Sequence, residues 1–351
     1  MGHAEIDNQT QLQFAHFFAN DEEGRPLLVL LAQASYSFGR RGAFAATPPV
    51  ELKLEGELWQ PTDPSDGSLD PPAWEDDVVS YRLEPCFAFE KPHIDAVLLG
   101  HAYATGGGCK SMQVKFQLGH LQRELNIYGD RVWVRSAGQI TATAPQAFRR
   151  VPLRYERAFG GWDRSNPDSS EHRPFRANPV GLGFRSSPDN FEEGLRLPNI
   201  EDPNQPVRKF GENVFAAGVG FVSPDWESRA RYAGSYDEAW QQERMPLLPK
   251  DFDRTFFNAA SPGLIAARGS LRGGEAVSIV GATPHRQVQF ALPEVRLPQA
   301  RVELIHRQDA LLTCELDTLV VDSDNDRLLM HYRAHLPLRD GPHDVRSIEL
   351  S

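Results

Sequence analysis

Three short blocks constrain this chain more than any other feature. Residues 151–161 read Val-Pro-Leu-Arg-Tyr-Glu-Arg-Ala-Phe-Gly-Gly, residues 178–184 read Asn-Pro-Val-Gly-Leu-Gly-Phe, and residues 197–201 read Leu-Pro-Asn-Ile-Glu. Proline removes a main-chain donor and fixes φ, while glycine opens conformations closed to other residues. Such density admits neither a helix nor a central strand. The middle of the chain therefore has to be ordered irregular backbone, which a protein of this kind uses to build a specific surface or a site.

Strand signals flank this middle. Leu27–Phe38 is a buried-strand run, and Gln113–Leu118 alternates strictly, with Val114, Phe116 and Leu118 on one face. Gly119-His120 fits a two-residue hairpin turn before Leu121–Ile127 returns, and Gly129-Asp130 turns the chain into Arg131–Val134. Strict alternation implies an antiparallel sheet with one wet face. From Glu275 the runs Val277–Val280, Val288–Leu292, Val302–Ile305, Leu311–Val321 and Leu328–Arg333 are again strand-like. One helix is expected after Ser235, which stands with Glu238 in the positions of a capping box, and Pro246 stops it. The expected fold is mainly β, with sandwich-like antiparallel sheets at both ends, a long Pro/Gly-rich middle and few short helices. The expected regions are 1–144 (β), 145–264 (loop-rich, packed on the β regions) and 265–351 (β), forming one unit. Pairing between the two β ends decides between one continuous β unit and two lobes.

Net charge is -11, so the long-range field opposes binding to nucleic acid or to an anionic membrane. One stretch runs the other way: residues 122–157 hold seven arginines against Glu124, Asp130 and Glu156. Those arginines either tie loops to neighbouring carboxylates and carbonyls or form a docking patch. Cys86, Cys109 and Cys314 are odd in number and far apart, which fits neither a disulfide scaffold nor a zinc ribbon and suits a reducing cytoplasm. The N-terminus lacks a basic and an apolar region, and the longest greasy run, Leu27–Ala34, is far short of the ~18 residues of a membrane span. A cytoplasmic location is the expectation.

Motifs for chemistry are weak. Asp322, Asp324 and Asp326 imitate a calcium loop, but Arg327 and Arg333 replace the glycine and carboxylate it needs. His331 and His335 lie on a strand-like run, where residues four apart sit ~13 Å apart, too far for one ion. Thr105–Ser111 lacks the Gly-Lys-Ser core of a phosphate loop because Cys109 interrupts it. No Gly-x-Ser-x-Gly elbow is present. Asp251 and Asp253 could act as paired carboxylates on a sugar, or only tether loops. Trp133, Trp162, Trp226 and Trp240 cluster around the middle, as loop anchors or as interface residues. Neither a cofactor nor a metal is expected.

Taken in order, the blocks resemble the bacterial family known as domain of unknown function 2169. The resemblance runs through Lys91-Pro92-His93-Ile94-Asp95 with Gly100-His101-Ala102, Tyr128–Trp133, Pro152–Gly161, Asn178–Phe184, Leu197–Glu201, Trp226 with Arg229 and Arg231, Gly234–Asp237, Pro249–Asp253 and Asp317–Asp322. Ser235 and Lys250 depart slightly from the expected pattern, standing where Thr and another polar residue are expected. The resemblance implies a cytoplasmic adaptor, or effector chaperone, of the type VI secretion system. Its implied partners are a secreted toxin with a spike-tip domain rich in proline and alanine-arginine motifs, and the valine-glycine repeat spike protein. It implies no catalytic residue.

The expected activity is stoichiometric binding, through an open strand edge or through the Arg/Trp-bearing middle; the second is preferred. Arg131, Arg154, Tyr155, Arg157, Phe159 and Trp162 are the candidate residues, as partner surface or as loop-fixing groups. Gly160, Gly161, Asn178, Pro179, Gly181, Gly183, Pro198, Asn199 and Glu201 form the structural motif. The alternatives are a carbohydrate- or ester-active enzyme on a β-sandwich, which requires two facing carboxylates ~5–9.5 Å apart in a cleft, and a scaffold subunit of the secretion apparatus.

Overall fold

The computed structural model describes residues 4–39, 44–60, 79–294 and 297–351. The fold is mainly β. Its largest sheet runs in the order Ile265–Ala267, His93–Leu99, Glu315–Asp322, Arg327–Pro337, Pro26–Phe38 and Gln13–Asn20, with Phe44–Ala46 pairing to the far end of Pro26–Phe38. The two ends of the chain thus share one sheet. Pro26–Phe38 pairs antiparallel with Arg327–Pro337 from Leu27↔Pro337 to Ser37↔Arg327.

His93–Leu99 and Glu315–Asp322 pair in parallel at the middle of this sheet. Apart from His93 and Glu315 every residue of both strands is buried. This is why they read as continuous apolar runs, Ala96–Leu99 and Leu319–Val321, rather than as alternating ones. Asp95, Asp317 and Thr318 interrupt the runs and form part of the site described below.

Strands from both ends meet again in a five-stranded sheet, ordered Ile200–Glu201, Leu121–Tyr128, Ser111–Leu118, Ala276–Val280 and Gln287–Ala291. The hairpin turn at Gly119-His120 is as expected: Leu118 pairs with Leu121, and Gly119 has φ +56°. Val114, Phe116 and Leu118 face the core, while Ser111, Gln113, Lys115 and Gln117 face solvent. A four-stranded sheet contains Glu5–Asn8, Val345–Leu350, Gln299–Leu304 and Ala310–Thr313. One apolar cluster runs through all three sheets, including Leu30, Val97, Phe116, Ile279, Val302 and Ile348.

Two local expectations need correcting. The run Leu311–Val321 is two strands in two different sheets, Ala310–Thr313 and Glu315–Asp322. The chain changes sheet at buried Cys314, whose N–H donates to the Pro298 carbonyl at 2.9 Å. The expected helix exists as Glu238–Glu243, but its N-cap is Asp237, whose carboxylate accepts from Trp240 N at 2.8 Å. Ser235 is occupied elsewhere, donating through its N–H and hydroxyl to Asp251 at 2.9 and 2.8 Å. A second short helix is Glu227–Ala230.

Candidate functional site

The Pro/Gly-rich blocks fold into loops held from beneath by buried polar side chains. Tyr155–Arg157 is a single 3-10 turn with all three side chains buried. Tyr155 packs edge-on against Trp226 with ring centroids 4.9 Å apart, and burial pushes its hydroxyl pKa up to about 12. Arg157 is fully buried, and its carbonyl accepts from Asn199 N at 2.8 Å. Buried Arg154 donates to the Gln60 carbonyl at 2.9 Å, and Glu156 accepts from both N and Oγ of Ser80 at 2.8 Å.

Asn178 is fully buried, and its amide donates to the carbonyls of Tyr155 and Phe159 at 2.9 and 3.0 Å. Side-chain amides are the usual way to satisfy main-chain carbonyls that no ladder reaches. The pairs Phe159↔Leu182 and Gly160↔Gly183 close a short parallel ladder, with Pro179 and Gly181 in the loop leading into it. A Cβ on Gly160 (φ +152°) would meet the Asn178 carbonyl oxygen at 2.1 Å, so this approach requires glycine. Gly161 carries φ +93° beside Gly181. Phe159 packs with Phe184 and Val214 in a separate small core.

The third block docks through Arg131, whose guanidinium donates to the Pro198 carbonyl at 2.7 Å and to Glu201 at 2.5 Å and lies 4.1 Å from the Tyr128 ring centroid. Asn199 donates to the Tyr128 carbonyl and to Asp130 at 3.1 and 2.9 Å. Arg131, Arg154, Tyr155, Arg157 and Phe159 therefore support the loops from inside. Trp162 differs: it is 40% exposed, with Arg164 5.5 Å over its ring. Trp133 and Trp226 are buried anchors, and Trp240 is half-buried with its indole N–H on the Leu247 carbonyl.

A second constellation lies at the parallel strand pair. Lys91 is buried, and its ammonium reaches Asp95 at 2.8 Å, Glu84 at 3.1 Å and Thr318 at 3.2 Å. The parallel register sets Asp95 beside Thr318. Asp95 also accepts from Asn258, Ala259 N and Ala260 N. Arg229 pairs with Glu84 at 2.7 Å and donates to the carbonyls of Val222 and Phe256. Arg333 pairs with Asp317 at 2.6 Å and donates to the carbonyls of Cys86 and Ala88. Three cations thus face three carboxylates. Burial alone would lower the Lys91 pKa, but Asp95 and Glu84 outweigh it and hold the ammonium charged. Burial likewise acts to raise the Asp317 pKa, and Arg333 and Lys91 overcome it. For His331 burial outweighs the pull of the nearby Asp317 carboxylate and takes the pKa down to about 4, so it is neutral at pH 7.

This ionic bracket fixes segment 84–91 against the sheet. Phe89 packs beneath with Leu27, Val29 and Phe257. Phe87 is left 54% exposed beside Phe17 of the edge strand Gln13–Asn20, with ring centroids 6.0 Å apart.

The other chemical candidates have local duties. Asp251 holds Ser235, and Asp253 caps the 3-10 turn Arg254–Phe257 through Thr255 N at 2.8 Å. Asp322 bonds Arg82 and Asn325, and Asp324 accepts from His101 and Tyr103. His331 and His335 lie on one strand, opposite Gln33 and Val29. Thr105–Ser111 is a loop entering strand Ser111–Leu118, with positive φ at Gly106, Gly107 and Gly108.

Residues 23–333 match the family described as "Uncharacterized protein conserved in bacteria (DUF2169)". The chain belongs to this family. No curated protein and no solved structure matches it. Among the described residues, no helix is long and apolar enough to cross a membrane.

The matched DUF2169 span contains both constellations. The blocks 152–161, 178–184 and 197–201 make the supported loops, and Lys91–Asp95, Arg229 and Asp317–Asp322 supply most of the bracket. Sequence reasoning missed the bracket as a unit. The available signal was charge inside apolar runs: Asp95 before Ala96–Leu99, Asp317 before Leu319–Val321, and Arg333 after Leu328–Met330. A charge in such a place is buried and needs a partner.

Proposed function

We propose that this DUF2169 protein is a stoichiometric, cytoplasmic adaptor that binds a type VI secretion toxin carrying a spike-tip domain and helps load it onto the spike protein. The observation that carries the reading is the arrangement of the middle segment. Buried Arg157, Asn178, Asn199 and the Arg131–Glu201 pair hold irregular backbone in one shape, while Trp162 stands exposed above it. The bonds made by the Asn178 and Asn199 amides and by the Arg131 guanidinium offset the burial of these polar groups, and the return is a surface that loses little entropy on binding. An exposed tryptophan on a rigid loop is the residue type that anchors interfaces.

A deletion strain tests this reading. With this gene removed, the toxin should vanish from the secreted fraction while the spike protein is still secreted, and re-expression should restore it. Normal toxin secretion in the deletion strain would overturn the proposal. Loss of both proteins would instead indicate a scaffold subunit of the apparatus.

A further inference from the structure

Two of the sequence blocks, Gly234–Asp237 and Pro249–Asp253, meet around a cleft that neither the supported loops nor the ionic bracket involves. Ser235 joins them by donating through its N–H and hydroxyl to Asp251 at 2.9 and 2.8 Å. A Cβ on Gly234 would stand 2.7 Å from the Pro249 Cβ, so the blocks approach as closely as glycine allows. Between the Lys250-Asp251 turn and the helix Glu238–Glu243 lies a cleft of about 200 Å³. That is below the ~300–1,000 Å³ of small-molecule sites and suits one inserted side chain.

Trp240 and Ala239 form its apolar wall. The Trp240 ring is held in place, with its indole N–H on the Leu247 carbonyl at 2.8 Å and the Tyr236 ring packed edge-on, centroids 4.7 Å apart. Tryptophan is the side chain whose ring face attracts a cation most strongly.

Charge selects the occupant. Five charged residues line the cleft: Asp237, Glu243, Arg244, Lys250 and Asp251. Both cations already have a carboxylate. Arg244 turns to Glu23 at 2.9 Å and to the carbonyls of Glu22 and Leu248, and Lys250 lies 3.5 Å from Glu243. Asp237 and Asp251 have no ion-pair partner among the described residues. Their donors are neutral groups: Asp237 Oδ1 accepts from Trp240 N, and Asp251 accepts from Ser235, whose N–H and hydroxyl hold its carboxyl below the ordinary value. Each carboxylate keeps lone pairs for a further donor. Two uncompensated negative charges beside a tryptophan oppose an anion. Among the described residues no three of His, Cys, Asp or Glu are grouped to hold a metal ion. A guanidinium meets every requirement: its flat face stacks on a ring, its N–H fork matches carboxylates, and its stem is apolar.

We propose that this cleft receives an arginine side chain of a partner protein, seated against Trp240 with Asp237 and Asp251 as its counter-charges. The identity of that partner rests on the adaptor reading; the peptide test does not.

The probes are a capped five-residue peptide with a central arginine and the same peptide with citrulline, which keeps the shape without the charge. Amide and indole NMR shifts of the full chain measure binding and place it. The expected result is saturable shifts at the Trp240 indole and the Ser235 amide at millimolar arginine peptide, with the citrulline peptide at least about tenfold weaker. Asp237→Asn removes a charge and keeps the helix cap, and Asp251→Asn keeps an acceptor for Ser235. Each should weaken binding at least about threefold, and the two together more than about tenfold, with the melting temperature of Asp237→Asn unchanged. Three results would overturn the proposal: no shift at Trp240 and Ser235, equal binding of the citrulline peptide, or full binding by the double variant. Self-association of the chain that the double variant abolishes would also overturn it, by making a second copy the occupant. If the toxin binds the double variant at full strength, the cleft is not its site, and the proposal fails while the adaptor reading stands. If the arginine peptide binds as expected but deletion leaves toxin secretion intact, the adaptor reading alone fails.

Discussion

Replacing Arg333 by Met tests the ionic bracket. The side chain is 5% exposed, its Nε lies 2.6 Å from Asp317, and it also holds the carbonyls of Cys86 and Ala88. Methionine fills similar space but leaves the buried Asp317 carboxylate without its nearest cation. Breaking a buried pair from one side costs about 3–5 kcal/mol. Unfolding entropy of about 2.1 cal/mol/K per residue, over 351 residues, gives about 0.7 kcal/mol/K. The expected loss in melting temperature at pH 7 is therefore about 4–7 °C, read by calorimetry.

The pH dependence has a definite sign. In the native protein Asp317 titrates below its ordinary value of 3.8, so its contribution is present above that value and lost as pH falls through the lowered folded pKa. Without Arg333, burial is opposed mainly by Lys91 and the folded pKa rises. The deficit is then full at pH 7 and shrinks as pH falls through the raised pKa toward 3.8. Adding Asp317→Leu should recover most of the loss, since an apolar pair in place of a buried ion pair is often neutral. A melting temperature within about 1 °C of the parent (under ~1 kcal/mol by the same conversion), or a double variant no better than the single, would refute the reasoning.

Three further outcomes are expected. Gly160→Ala drives a methyl into the Asn178 carbonyl oxygen 2.1 Å away and should cost several kcal/mol, seen as loss of soluble protein. Asn178→Ala strands two buried carbonyls and should lower stability by about 2–4 kcal/mol in urea unfolding, whereas Trp162→Ala, on the surface, should change it by under about 0.5 kcal/mol while weakening toxin capture. Burial raises the Cys86 and Cys314 thiol pKa values, Cys314 to about 12, so both should resist a disulfide reagent at pH 8 until the protein is unfolded.

The local hydrophobic pattern made part of the fold legible. Val114, Phe116 and Leu118 alternate because one face of their hairpin is wet, and Gly119-His120 is a turn that glycine permits. The parallel pairing of His93–Leu99 with Glu315–Asp322 was not legible: the partners are more than 200 residues apart in sequence, and buried apolar runs carry no periodicity that names a neighbour. The helix cap was misplaced because Ser235 and Asp237 are both good caps, and the tertiary bond to Asp251 settles which is free. Arginines 131, 154 and 157 could be read as surface or as support, because sequence displays charge and not depth. In the structure their burial makes them support and leaves Trp162 as the exposed member of the set.

The most direct measurement is the mass of the complex formed when this protein and the spike-tip toxin are expressed together and purified through a tag on this protein. Light scattering on a sizing column should give one adaptor per toxin, with a complex that Trp162→Ala weakens while the melting temperature is kept. Elution of this protein alone, with the toxin present and soluble in the same cells, would contradict the account.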